Sequence, residues 1–335
     1  MKEIVMQNLL SPVVLFFVLG ILAAMVKSDL KFPKGLSETL SIYLLIAIGI
    51  KGGIELSHYS ITTVIKPIFG ALFLGTVTPI VVLGVLRLIR MDLKNAIGLA
   101  ATYGSVSIVT YGAGVSFLQK QGIAYEGFMN VLVVLMESPA IWVSLLLLKL
   151  IEKRKKQLVV LSELEITSRK SFITIDKDII RESLFGKSVM LLMGSLMIGW
   201  VVGQDAASVA KPLFIDLYGS ILILFLLNMG LIAGERLPEV RSHGWRLAFF
   251  GICMPLVFGT LGVFVGHYVG LSLGGTALMG VLAGSASYIA APAALRSSVP
   301  EASPSIYLGL SLGITFPFNL IAGIPLYLAI AQFLQ

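Results

Sequence analysis

Two four-residue strings, Gly104-Ser105-Val106-Ser107 and Gly284-Ser285-Ala286-Ser287, interrupt long apolar stretches with glycine and hydroxyl groups. Glycine inside a helix costs about 1 kcal/mol relative to alanine, and a serine hydroxyl competes for the backbone, so each string predicts a helix that opens. At such a break the second half-helix presents unpaired N–H groups and a partial positive charge. That arrangement suits a small anion without any lysine or arginine. Glycine lets a ligand approach the backbone, and a serine hydroxyl donates to an anion or accepts a cation. Gly104, Ser105, Ser107, Gly284, Ser285 and Ser287 are therefore the expected substrate-binding set. The same small residues also serve close helix packing with no ligand present, and that reading stands beside the first.

Carbonyls at the end of the first half-helix, with hydroxyls such as that of Thr110, suit sodium, a hard ion that takes oxygen ligands. One acid lies deep in an apolar stretch: Glu137, beside Pro139. An ionisable group there is a candidate proton carrier or sodium ligand, or else a protonated acid bonded to a neighbouring helix. The string TFPFN, at the corresponding place later in the chain, supplies Thr315 and Asn319 as uncharged oxygen donors. The expected sodium set is thus Ser107, Thr110, Glu137, Ser287, Thr315 and Asn319. His58, His243 and His267 have no metal-ligand spacing, no acid–His pair is placed to serve a serine nucleophile, and no Walker loop occurs. We expect neither an enzyme nor an ATP-driven pump, and no cofactor beyond a coupling ion.

The elements that must position these residues follow from composition. Of 335 residues 57% are apolar and only 13% charged, and the mean hydropathy is +0.94. Long stretches lack charge altogether, and a membrane-crossing helix needs about 20 mostly apolar residues. Ten windows fit, near 9–26, 36–54, 66–90, 94–118, 127–151, 187–203, 211–234, 245–270, 274–297 and 305–333. Unbroken apolar runs exclude a β-barrel, whose strands alternate. The fold class is an all-α polytopic membrane protein. Cys253 is the single cysteine and forbids an intrachain disulfide.

The net charge of +7 reads as topology, not as a nucleic-acid partner. Twenty of the 25 Lys and Arg fall in the odd-numbered loops between the ten spans or at the span ends that border them. Basic loops stay in the cytoplasm, so both termini are expected outside and the 152–186 loop inside. That loop opens with EKRKK and reads as a solvated linker near lipid headgroups, or as a docking surface for a regulatory protein.

The two halves of the chain echo each other. Besides the GSVS and GSAS strings, Thr78-Pro79 answers Met254-Pro255, Glu137-Ser138-Pro139 answers Thr315-Phe316-Pro317, and Gly49 through Gly53 answers Gly230 through Gly234. Four matches in one order, with an odd number of spans per half, predict two inverted repeats of five: 1–151, a linker 152–186, and 187–335. Spans 4 and 9 are then the discontinuous helices, crossing at the midplane as in many secondary transporters.

Residues GSASYIAAPAALRSSVPEASPSIYLGLSLGITFPFN, IGIKGGIEL, and GSVSIVT followed by IAYEGF resemble the sodium-dependent bicarbonate transporter family. The resemblance spans nearly the whole chain, and LRSSVPEASPS is its most specific part. It implies a five-plus-five inverted-repeat symporter of bicarbonate and sodium in a bacterial inner membrane, a core domain moving like an elevator against a scaffold, a homotrimer, and a PII-like protein as cytoplasmic regulator. It places both ligands at the crossing of spans 4 and 9, on Gly104, Ser107, Thr110, Ser285 and Ser287. At Tyr288 the chain departs from cyanobacterial members, which carry an aspartate, and so resembles a broader branch. Another small monocarboxylate, proton coupling through Glu137, and a membrane sensor recruiting a soluble partner are the alternatives.

Overall fold

The structure is a computed structural model that describes residues 10–33, 35–162, 187–203, 208, 210–242 and 244–335. All regular structure among the described residues is helical. In chain order the helices are α1 (Pro12–Met25), α2 (Leu36–Leu56), α3 (Ile61–Leu88), α4 (Leu93–Gly104), α5 (Ile108–Lys120) and α6 (Met129–Ser162). They continue as α7 (Lys187–Val202), α8 (Tyr218–Ser242), α9 (Trp245–Tyr268), α10 (Leu273–Ala283) and α11 (Ala290–Ser298). The last, α12 (Pro304–Leu334), contains π-helical turns at Ser311–Thr315 and Asn319–Gly323.

Seven helical stretches among the described residues are long and apolar enough to cross a membrane, with Leu93–Lys120, that is α4 and α5, taken as one. Three of the ten expected windows hold shorter apolar helices: Pro12–Met25, Val189–Val202 and Leu273–Ala283. For the last the reason is physical, because the chain leaves the helix within Gly284–Ile289 before α11 begins. Helix α6 runs through Ser162, into the stretch expected as linker. Residues 163–186 of that stretch, like Lys2 and His243, lie outside the described residues. Exposed apolar side chains such as Phe69, Leu88, Trp245 and Phe249 lie on the outside of the bundle, where lipid replaces water as the solvent.

Glycine sets the closest packing. Helix α1 lies along α8, and α2 along α7. A Cβ on Gly20 would overlap the Leu227 carbonyl, and one on Gly230 the Phe17 carbonyl. The same holds where α2 meets α7: Gly53 faces the Leu196 carbonyl and Gly199 the Ile50 carbonyl. In a membrane no apolar driving force separates helix from lipid, so this backbone-to-backbone approach supplies the dispersion energy that holds each pair.

The remaining helices flank the breaks. Helices α3, α4 and α6 pack together, as do α9, α10 and α12. Pro79 and Pro255 sit inside α3 and α9, and a proline removes the N–H that would bond the carbonyl four residues earlier. For Pro255 that carbonyl is Gly251, and Thr315 Oγ1 donates to it at 2.7 Å while meeting Tyr103 Oη at 2.6 Å. The hydroxyl of Thr315 thus fills the gap in α9 that the proline opens.

Two helix starts carry their own caps and are tied to sequence-distant loops. Ser272 caps α10 by accepting from the Gly275 amide at 3.2 Å, and the Glu126 carboxylate accepts from the Ser272 amide at 2.5 Å and from its hydroxyl at 3.0 Å. On the other arm Asp92 caps α4, accepting from the Asn95 amide at 2.9 Å, and Asn95 Oδ1 accepts from the Ser303 amide at 2.7 Å. We expect Glu126→Ala to lower stability by about 1 kcal/mol, the usual cost of losing such a cap. Thermal unfolding of the detergent-solubilised protein checks this, with Glu126→Gln intermediate between the two.

Candidate functional site

Both strings fall where a helix ends. α4 stops at Gly104 and α5 starts at Ile108, with Ser105 and Ser107 extended between them. α10 stops at Ala283 and α11 starts at Ala290. The last serine of each string holds an amide in the first turn of the second half-helix, Ser107 as its N-cap and Ser287 from two residues before the N-cap Ile289. Ser107 Oγ accepts from the Thr110 amide at 3.1 Å, and Ser287 Oγ accepts from the Ala291 amide at 3.2 Å. The remaining first-turn amides, those of Ile108 and Val109 in one arm and Ile289 and Ala290 in the other, have no partner among the described residues.

The two breaks are bonded to each other. The Ser107 amide donates to Ser285 Oγ at 2.9 Å, and the Ser287 amide donates to the Thr102 carbonyl at 2.8 Å. Ser285 Oγ in turn donates to the Leu282 carbonyl at 2.7 Å. Ser285 is therefore a strut of the crossing. Gly104 and Gly284 are pressed against protein rather than left open to a ligand. A Cβ on Gly104 would stand 2.8 Å from Pro79 Cδ and 2.9 Å from Ala140 Cβ, and one on Gly284 3.0 Å from the Pro255 carbonyl oxygen.

Beside the crossing lies a pocket of about 10 Å³ lined by Ser107, Glu137, Ser287, Tyr288, Leu45 and Val133, among others. That is room for about one water-sized species. Glu137 is buried at 7% exposure, and no hydrogen bond reaches its carboxyl among the described residues. The hydroxyl of Ser105 is also buried without a partner, and that of Tyr288 interacts with Ser107 but completes no hydrogen bond of ordinary geometry. Two caps, one acid and unclaimed amides thus meet at one point deep between apolar helices, an arrangement that offers donors to an anion and oxygens to a cation.

Other expected residues are placed differently. Thr110 is buried on the first turn of α5, its amide taken by Ser107. Thr315 and Asn319 do not line this pocket. Thr315 is engaged with Gly251 and Tyr103, as described above. Asn319 Nδ2 donates to the Gly284 carbonyl at 2.8 Å, and Asn319 Oδ1 accepts from Tyr327 Oη at 2.9 Å. It thereby closes the C-terminal end of α10. We expect Asn319→Ala to cost about 1–3 kcal/mol, because it strands a buried carbonyl and leaves Tyr327 one acceptor fewer. A lowered melting temperature, with Asn319→Asp differing from Asn319→Ala, checks this.

Two wider grooves flank the crossing. One, of about 550 Å³, lies between the starts of α2 and α7 and helix α11, and carries the Glu38–Lys187 ion pair and Arg296. It shares Leu45, Tyr288 and Ile289 with the central pocket. The other, of about 320 Å³, lies between the starts of α1 and α8 and helices α5 and α12, with Lys120 and Asp216 on its wall. It shares no lining residue with the central pocket.

A model of the Na+-dependent bicarbonate transporter superfamily matches residues 12–332. The chain belongs to this superfamily. No curated protein matches it. Membership in the Na+-dependent bicarbonate transporter superfamily, together with the apolar helices, makes the chain a multi-pass membrane protein of a transporter family. At the level of the superfamily, the activity is sodium-dependent bicarbonate transport. Leu45, Val133 and Ile289 joined the pocket without being singled out for it in the sequence, whereas Tyr288 was marked there only as the place of the aspartate that cyanobacterial members carry.

Proposed function

We propose that the chain is a sodium-coupled symporter that imports bicarbonate, holding anion and sodium at the crossing of its two broken helices, in a pocket that widens from its resting volume of about 10 Å³ to take them. The observation that carries this reading is the convergence of Ser107, Ser287 and Glu137 on one buried pocket between mutually bonded helix breaks. First-turn amides and the partial positive ends of α5 and α11 serve the anion. Ser107, Ser287 and Glu137 serve sodium, with Thr110 behind them. A monoanion and sodium sum to zero charge, which suits a pocket with no fixed cation.

Ten spans in two inverted repeats are the architecture we assign. The pairing of α1 with α8 and of α2 with α7 supports it, since each pair joins a first helix of one half to a second helix of the other. So does the relation of the two grooves, which use the equivalent elements of opposite halves. With the basic loops cytoplasmic, the groove bearing Glu38, Lys187 and Arg296 faces the cytoplasm of a bacterial cell, and the Lys120 groove faces outward. Elevator-like motion, a homotrimer and a PII-like regulator at the cytoplasmic side complete the reading.

Uptake of labelled bicarbonate into vesicles, with and without an inward sodium gradient, tests the function. Sodium-stimulated uptake is expected; absent or sodium-independent uptake overturns it. The buried, unpartnered Glu137 supports proton coupling as a second reading. Glu137→Gln separates the two: a sodium carrier shows a raised sodium requirement, whereas a proton-coupled carrier loses its pH dependence.

A further inference from the structure

The central pocket and the 550 Å³ groove are neighbours divided by a thin wall, and Leu45, Tyr288 and Ile289 line both sides of it. Tyr288 is the largest of the three. Its ring packs edge-on against Phe316, with centroids 5.5 Å apart, and Phe316 is held edge-on by Phe17 at 5.0 Å. Edge-to-face pairs of this kind contribute about 0.5–1.5 kcal/mol each beyond simple burial, so the ring has a defined resting place. Its hydroxyl has no such anchor: buried at 7% exposure, it interacts with Ser107 but completes no hydrogen bond of ordinary geometry. A buried, unpaired hydroxyl costs about 1–3 kcal/mol unless something else fills its need. Ser107, Ser287 and Glu137 line the pocket on which Tyr288 borders.

We infer that Tyr288 is a specificity-determining residue for the transported anion: its ring closes the central pocket toward the groove and limits what fits there, and its hydroxyl donates a hydrogen bond to the anion. This rests on the proposed transport reading and adds to it a residue that reads size and an acceptor oxygen together. The ring accounts for the disparity between the two cavities, about 10 Å³ on one side of Tyr288 and about 550 Å³ on the other. Removing the ring merges them and admits larger carboxylates. Removing only the hydroxyl leaves the pocket closed and weakens binding of the anion.

The ring is tested by thiol labelling, independently of transport. In a Cys253→Ser background, Val133→Cys places a thiol in the central pocket and Ala293→Cys places one in the groove. The purified protein in detergent is treated with a small anionic methanethiosulfonate reagent. With Tyr288 present, Val133→Cys should react at least about tenfold more slowly than Ala293→Cys, as for a wall open about 10% of the time or less. Adding Tyr288→Ala should raise the Val133→Cys rate toward that of Ala293→Cys and leave the Ala293→Cys rate unchanged. Equal rates with Tyr288 present, or a Val133→Cys rate unmoved by Tyr288→Ala, overturn the inference. Should Tyr288→Ala not fold, Tyr288→Leu is used with the same two outcomes.

The hydroxyl is tested in vesicles. Tyr288→Phe should keep the slow Val133→Cys labelling but raise the KM for bicarbonate by about tenfold or more, the loss of one hydrogen bond to a charged group. An unchanged KM overturns the hydroxyl's part. Labelling that behaves as expected in a protein that carries no bicarbonate keeps the wall and sinks the substrate assignment. Bicarbonate uptake with labelling indifferent to Tyr288 does the reverse.

Discussion

Ser287→Leu is expected to reduce bicarbonate uptake to background while the chain still folds. A leucine side chain exceeds a pocket of about 10 Å³ by several carbon atoms, and it enters where Ser287 and Ser107 lie on either side of the crossing. The substitution also removes the acceptor for the Ala291 amide. Losing that cap costs about 1 kcal/mol and fitting the larger side chain about 1–3 kcal/mol, a fraction of the stability of a protein this size. Displacing a bound group by about 1 Å can cost about 100-fold in rate, so the loss of transport should far outweigh the loss of fold. Uptake in vesicles, compared with a monodisperse elution profile, checks both halves. Ser287→Ala, which loses the cap but keeps the space, should retain part of the flux.

The second large effect concerns stability. Gly230→Leu is expected to destroy the α1–α8 interface, because its Cβ would overlap the Phe17 carbonyl and approach Gly20 Cα at 3.0 Å. Backbone atoms cannot rotate away as a side chain can, so the helices must part along their length. Overpacking a core typically costs about 1–3 kcal/mol, and here the loss of the neighbouring Gly20 and Gly234 contacts adds to it. We expect little folded protein from Gly230→Leu and a melting temperature clearly lowered in Gly230→Ala. Gly194 supplies the contrast. Inside α7 and with open space where its Cβ would go, Gly194→Ala should be neutral or stabilising by up to about 1 kcal/mol.

Both predictions concern residues whose types stand out in the sequence itself, and the reason is chemical. Glycine and serine in the middle of an apolar run conflict with the local preference for helix, so GSVS and GSAS are conspicuous, and the helices do end there. The match of Gly49–Gly53 to Gly230–Gly234 is visible for the same reason. The glycines press against the carbonyls of a partner helix, a role that spacing alone does not separate from ligand access. Gly104 and Gly284 show where sequence pattern runs out. Their place is legible, but what presses on them, Pro79 in one arm and Tyr327 with the Pro255 carbonyl in the other, depends on packing across the fold.

Thr315 and Asn319 are harder still. Oxygen donors in a membrane helix suggest an ion, yet here one occupies the carbonyl freed by Pro255 and the other the open end of α10. Pro255 lies far from Thr315 in the chain, and nothing local announces the pairing. The ten windows are legible as apolar runs, whereas the short reach of α1 and α10 is not, since hydropathy does not say where a helix stops.

The account stands most directly on what occupies the space between Ser107, Ser287 and Glu137. A structure determined with bicarbonate and sodium present is the measurement. We predict a planar anion near the first-turn amides of α5 and α11, and a cation held by oxygens of Ser107, Ser287 and Glu137. Anion density confined to the Lys120 or Arg296 groove, with the central pocket empty, would contradict the central claim.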